Sequence, residues 1–134
     1  MGQSFRDLEV WKRAIELTFA IYRLTTAFPS SERFGLTNQL RRAAVSVASN
    51  IAEGSGRAAR GEYIQFLGHS RGSVFEVETQ LVIAKGLSFG DKKASQQAEE
   101  LCSEVGRMLR AVIKALQNRP STLNLLTSRS IEHP

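Results

Sequence analysis

Apolar residues recur at three- and four-residue intervals in four stretches of this chain, and nowhere does the pattern settle into the two-residue alternation of a strand. The first stretch runs from about Leu8 to Phe28, with Asp7 placed to cap its start and Pro29-Ser30-Ser31 to end it. The second begins near Thr37 and stops at Gly54-Ser55-Gly56, which reads as a helix terminator. The third covers about Gly61 to Leu87, and the fourth starts near Asp91 or Ser95 and ends before Pro120. Long helices joined by short breakers predict an all-α fold, an antiparallel up-down-up-down four-helix bundle over residues 1–119. Residues 120–134 lack periodicity and read as a flexible C-terminal tail.

The widths of the apolar faces differ. The fourth stretch carries one stripe: Ala98, Leu101, Cys102, Val105, Met108, Leu109, Val112 and Leu116. The first carries two seams, Leu8/Trp11/Ile15/Phe19/Tyr22 and Val10/Ala14/Leu17/Ile21/Leu24/Phe28. A helix at the corner of a lone bundle cannot bury both. The third also shows two arcs, Phe66/Val74/Val77/Leu81/Ala84 and Ile64/Phe75/Val82. Surplus apolar surface on two helices predicts a homo-oligomer.

The second stretch, Leu36 to Arg57, has an unusual polar face: Gln39, Arg42, Ser46, Ser49, Asn50 and Glu53, with no lysine. Serine and asparagine compete with the helix backbone, so a merely solvated face would favour lysine and glutamate. The third stretch presents Glu62, Gln65, His69, Ser73, Glu76 and Gln80 along one side. Gln39, Arg42, Asn50 and Glu53 facing Ser73 and Glu76 predict an interhelical polar network that fixes register. The alternative is a lined groove for a ligand or partner.

Composition is that of an ordinary soluble domain, with 42% hydrophobic and 23% charged residues. No apolar run is long enough for a membrane span, and MGQSFRDLEV has charges where a signal peptide needs an apolar core. Cys102 is the single cysteine, so no internal disulfide forms, and a reducing, cytoplasmic setting is expected. The net charge of +5 points toward polyanions, though the excess is dispersed along the chain.

Catalytic motifs fail on context. Gly68-His69-Ser70-Arg71-Gly72 fits G-x-S-x-G as text, but it lies mid-helix with no strand before it, and the only later histidine is His133. Gly68, Gly72 and Ser73 read instead as small residues that let two helices approach closely. Gly54-Ser55-Gly56 lacks the strand and the Gly-Lys-Ser/Thr of a phosphate loop. Neither histidine has a glutamate three residues before it, which excludes the carboxylate-bridged metal site of helical bundles. No metal and no cofactor is expected.

Four segments carry a resemblance. They are Phe5-Arg6-Asp7-Leu8-x-x-Trp11-Lys12, Phe28-Pro29-x-x-Glu32-x-Phe34-Gly35-Leu36, Gln39-Leu40-Arg41-Arg42-Ala43-Ala44-Val45-Ser46 and Asn50-Ile51-Ala52-Glu53-Gly54-x-Gly56-Arg57. With Gly72-Ser73-x-x-Glu76-x-Glu78-x-Gln80-Leu81, they resemble the bacterial four-helix-bundle family whose genes lie in intervening sequences of 23S ribosomal RNA. The resemblance implies a ring-like homopentamer. The accessory variability protein of diversity-generating retroelements is similar, and it binds nucleic acid and a reverse transcriptase. The resulting expectation is a non-enzymatic scaffold that contacts RNA or DNA phosphates through Lys12, Arg13, Arg23, Arg41, Arg57 and Arg60. Without interleaved aromatic residues, little base specificity is expected. The alternative is a protein-binding adaptor with no nucleic-acid role.

Overall fold

The computed structural model describes residues 4–118, and four helices account for most of them: α1 (Glu9–Thr26), α2 (Leu36–Ser55), α3 (Arg60–Gly86) and α4 (Lys92–Asn118). Each helix packs against its sequence neighbour, and α1 also meets α4, so α1 and α3 stand on one diagonal of an antiparallel up-down-up-down square. The expected four-helix bundle is the fold observed. No described helix is long and apolar enough to cross a membrane. The tail expected over 120–134 lies outside the described residues.

The stops are chemical. Glu32 Oε1 accepts from Leu36 N at 3.0 Å and caps the start of α2, while Asp91 Oδ2 accepts from Ala94 N at 3.0 Å ahead of α4. Between α3 and α4 the chain turns through Ser88 (φ 61°) and Gly90 (φ 82°). A Cβ on Gly90 would sit 2.6 Å from Leu24 Cδ1, so this turn needs glycine for both its backbone angle and its proximity to α1. Phe28 and Phe89 close that end of the core with ring centroids 5.6 Å apart.

Two expected helix ends are built differently. Asp7 does not cap α1. It completes a 3₁₀ turn, Phe5–Asp7, whose own cap is Ser4 Oγ, and extended Leu8 precedes the helix. At the end of α2, Gly56 has φ −86°, so the chain leaves the helix without the left-handed glycine cap that Gly-Ser-Gly predicts. Gly54 serves a different purpose. A Cβ there would stand 2.7 Å from Phe66 Cβ and 3.0 Å from Tyr63 Cδ1, so α3 approaches α2 too closely here for any side chain.

The core is the set that helical periodicity selects. Leu17, Ile21 and Leu24 meet Leu40, Val47 and Ile51, with Leu67, Val77 and Leu81 from α3 and Val105 and Leu109 from α4. Each fully buried side chain of this kind contributes about 1.5–3 kcal/mol relative to exposure.

Gly54→Ala is expected to lower stability by about 1–3 kcal/mol in a urea melt, because α3 must move to admit the methyl group. Gly106→Ala, whose Cβ would meet Val74 Cγ1 at an ordinary 3.5 Å, is expected to raise stability by about 0.5–1 kcal/mol. Equal effects of the two substitutions would contradict this account of the α2–α3 crossing.

Candidate interaction surfaces

The α2/α3 flank carries the polar residues singled out by sequence. Ser46 and Ser73 hydroxyls meet at 2.9 Å, and Asn50 Nδ2 donates to Ser46 O at 2.9 Å and Ser46 Oγ at 3.0 Å. One layer deeper, Ser70 Oγ donates to Val47 O at 2.8 Å. The expected network therefore has an interhelical centre at Ser46, a residue outside the predicted six. Gln39 meets Gln80 at a long 3.5 Å. Arg42 and Glu76 line the same cleft without a hydrogen bond or ion pair to any described residue. Glu53 is exposed and pairs along its own helix with Arg57 at 3.7 Å rather than across to α3.

The G-x-S-x-G match is absorbed by packing, since Ser70 is fully buried and occupied with the α2 backbone. No group of three or more His, Cys, Asp or Glu side chains among the described residues is placed to hold a metal. Cys102 is buried, with Sγ 3.6 Å from Val74 O. Burial, with nearby Glu78 adding to it, pushes its thiol from 9.0 up to about 12. Burial likewise raises the Tyr63 phenol. These groups are protonated near neutrality and offer no nucleophile.

The two surplus apolar faces stay uncovered by the described residues. On α1 the seam of Val10, Ala14, Leu17, Ile21 and Leu24 is buried, whereas Phe19 is 58% exposed and Trp11 and Ile15 are half-buried. Trp11, Ile15 and Thr18 form with Val45, Ser49 and Ala52 of α2 a shallow groove of about 240 Å³. On α3, Val74, Val77 and Leu81 are buried, while Phe75 (52%) and Val82 (66%) are exposed. The outward strip of α3 runs Gly61, Gly68, Gly72, Phe75, Thr79, Val82 and Gly86, with no charged residue. Gly68 and Gly72 were expected to admit a neighbouring helix, but no atom lies within 4 Å of a Cβ built on either. They face away from the bundle, on the side opposite the buried arc, so none of the described helices uses the space.

The six candidate phosphate ligands do not form one patch. Arg13 is held between Glu16 (2.6 Å) and Glu104 (2.8 Å), which raises its pKa and joins α1 to α4. Arg41 donates to Thr25 Oγ1 at 2.8 Å and lies 4.6 Å over the Tyr22 ring, tying α2 to α1. Arg57 sits 4.8 Å over Phe66 in addition to its Glu53 contact. Lys12 pairs with Glu9 at 3.3 Å on the surface. Arg23 lines an α1/α4 cleft with Glu16, Glu100 and Glu104. Arg60 opens α3 at the same end of the bundle as Arg57 and Lys12. Sequence reasoning missed Arg107, Arg110 and Lys114. They are exposed on one side of α4, and no acidic residue follows Glu104 in that helix. The signal was there, in basic residues three and seven apart beyond the last glutamate.

An antiparallel four-helix bundle with a polar α2/α3 seam and two exposed apolar faces is the class these features define. Residues 6–111 match the family described as 23S rRNA-intervening sequence protein, and the chain belongs to that family. It is similar to the crystal structure of a protein of unknown function from the S23 ribosomal protein family of Bacteroides thetaiotaomicron VPI-5482. The TM-score is 0.70 at 19% identity, over 78% of this chain and 98% of that one, a likeness of fold. No curated protein matches the chain.

Removing the Ser73 hydroxyl by Ser73→Ala is expected to cost about 1 kcal/mol and to be non-additive with Ser46→Ala, whereas Glu53→Ala stays within about 0.5 kcal/mol. Additive serine variants in urea melts would remove the interhelical bond from the account. For Cys102, a raised native pKa means its stabilisation is complete below about pH 9 and is lost as pH climbs toward 12. The urea midpoint is expected to fall over that window, and to fall less in Cys102→Val. Parallel curves for the two proteins would exclude the thiol as a cause.

Proposed function

We propose that this chain is a non-enzymatic, cytoplasmic scaffold that assembles into a closed homo-oligomeric ring and binds RNA or DNA through phosphate contacts on the outside of that ring. The observation that carries the assembly is the placement of its two uncovered apolar faces, the α1/α2 groove and the outer strip of α3, at different corners of the bundle. A two-fold dimer pairs a face with itself and leaves the other face wet. A head-to-tail contact, with Phe75 and Val82 of one copy against the Trp11/Ile15/Val45 groove of the next, covers both and repeats until it closes. The family resemblance supplies the number five, so the ring is read as a homopentamer.

The net charge of +5 per chain becomes about +25 for five copies, which makes dispersed basicity a field that attracts phosphate. Antiparallel packing brings the start of α1, the α2–α3 turn and the end of α4 to one end of the bundle. Lys12, Arg57 and Arg60 therefore share that end with Arg107, Arg110 and Lys114, and these residues are the proposed phosphate contacts. Arg13 and Arg41, engaged between helices, hold the scaffold. The single cysteine is compatible with a reducing cytoplasm.

Size-exclusion chromatography with light scattering is expected to give about five times the 14.8 kDa chain mass at micromolar concentration. Phe75→Asp with Val82→Asp is expected to give a helical monomer. A wild-type monomer overturns the ring. In gel shifts against structured RNA and duplex DNA at two salt concentrations, each phosphate contact should contribute about 0.9 to the log–log salt slope for duplex DNA. Arg107→Glu with Lys114→Glu should flatten that slope. Absence of binding at low salt leaves the protein-binding adaptor as the reading.

A further inference from the structure

The α2/α3 flank changes character along its length. At Ser46 the polar side chains pair with one another, the serine with Ser73 and with Asn50. Towards the start of α2 it opens into a cleft of about 420 Å³ lined by Asn38, Gln39, Arg42, Glu76 and Gln80. Several of its polar groups are poorly matched. Gln80 Oε1 is buried and accepts no hydrogen bond, and the amide nitrogen of Gln80 reaches Gln39 Oε1 only at 3.5 Å. Exchanging the two ends of the Gln80 amide would leave a buried donor unmatched in place of the acceptor. Arg42 on α2 and Glu76 on α3 line opposite walls, yet neither bonds to the other or to any described residue. A guanidinium and a carboxylate that share a cleft without forming an ion pair leave a two-pronged donor and a two-pronged acceptor available.

We infer that the α2/α3 cleft is a binding site for a guanine base. Guanine is the nucleobase that pairs an edge with two acceptors, O6 and N7, with an adjacent edge of two donors, N1–H and the exocyclic amine. The first edge fits the Arg42 fork, the commonest way a protein selects guanine. The second fits the Glu76 carboxylate and can also give a hydrogen to the buried Gln80 oxygen. Adenine would present a bare ring nitrogen to the carboxylate, cytosine has a single donor group, and uracil flanks its one N–H with two acceptors. A peptide group offers one donor and one acceptor and matches neither fork. Recognition through base edges rather than stacking suits a cleft that has no aromatic side chain in its lining. The site extends the proposed nucleic-acid role by adding base choice to phosphate contact, although its chemistry stands without that role.

Titration of the intact protein with GMP, AMP, CMP and UMP, followed by NMR, separates base from phosphate because the phosphate is common to all four. GMP is expected to bind about ten-fold or more tighter than AMP and to shift the side-chain amide signals of Asn38, Gln39 and Gln80. Glu76→Gln and Arg42→Met should erase the preference while leaving the thermal melt unchanged, since both side chains are exposed. Equal affinity for the four nucleotides, no binding of any, or a preference that survives both substitutions overturns the proposal. Single-stranded RNAs differing in one unpaired G or A distinguish the source. Discrimination between the strands assigns an unpaired guanine, and discrimination among free nucleotides alone assigns a mononucleotide; both support the site. Salt-dependent binding of duplex RNA, whose guanines have no free donor edge, reports on the phosphate contacts separately.

Discussion

Where α2 passes α3 there is no room for a side chain at residue 54, and that closeness governs the helices on either side. With a methyl group excluded by Phe66 and Tyr63, the α2 and α3 backbones come near enough for Ser70 to reach the carbonyl of Val47 and for Ser46 to meet Ser73. Short polar side chains can bridge helices only at such a distance; lysine or glutamate in their places would hold the helices apart. The contact also sets register, because a hydroxyl aimed at one carbonyl oxygen allows no slip of a helical turn. An unmatched buried hydroxyl or carbonyl costs about 1–3 kcal/mol, so displaced pairings are disfavoured more strongly than apolar packing alone would make them.

A fixed α2–α3 pair has consequences for the outside of the bundle. α3 spends one arc on the core and its flank on α2, which leaves the strip of Gly61, Gly68, Gly72, Phe75 and Val82 facing out. Glycine in an exposed helix interior costs about 0.5–1 kcal/mol relative to alanine. Two such residues, Gly68 and Gly72, weaken the helix with no return among the described residues, since none of these approaches them. The cost is accounted for when another backbone comes close, as it would in the proposed ring. The half-covered seam of Trp11, Ile15 and Phe19 on α1 has the same logic, being apolar surface beyond what one bundle can bury.

Much of the fold was legible because it follows from periodicity. Helix bounds fell within a few residues of those expected, and the deeper of the two seams on α1 and on α3 is the one buried. What periodicity cannot supply is the rotation of one helix about another. Gly68 and Gly72 have the spacing of a close contact, yet they lie on the far side of α3, while the close contact occurs at Gly54, which reads locally as a terminator. Asp7 has the chemistry of a cap but is consumed in a preceding 3₁₀ turn. Surface arginines were the least legible of all. A long side chain can take a partner on another helix, as Arg13 takes Glu104 and Arg41 takes Thr25, and no local pattern announces it.

These pairings also bear on how a scaffold of this kind handles charge. Exposed ion pairs are worth little, about 0–1 kcal/mol, so Lys12 can exchange Glu9 for a phosphate at small cost. Arg13 and Arg41 cannot do so without loosening α1 from its neighbours. The other proposed contacts sit where helix ends gather, at the end of the bundle shared by the start of α1, the α2–α3 turn and the end of α4. A single chain holding a few such groups would bind phosphate weakly, and several copies fixed in one ring would bind through many weak contacts at once. Repetition of the bundle, more than any one side chain, would then set the strength and the salt sensitivity of binding.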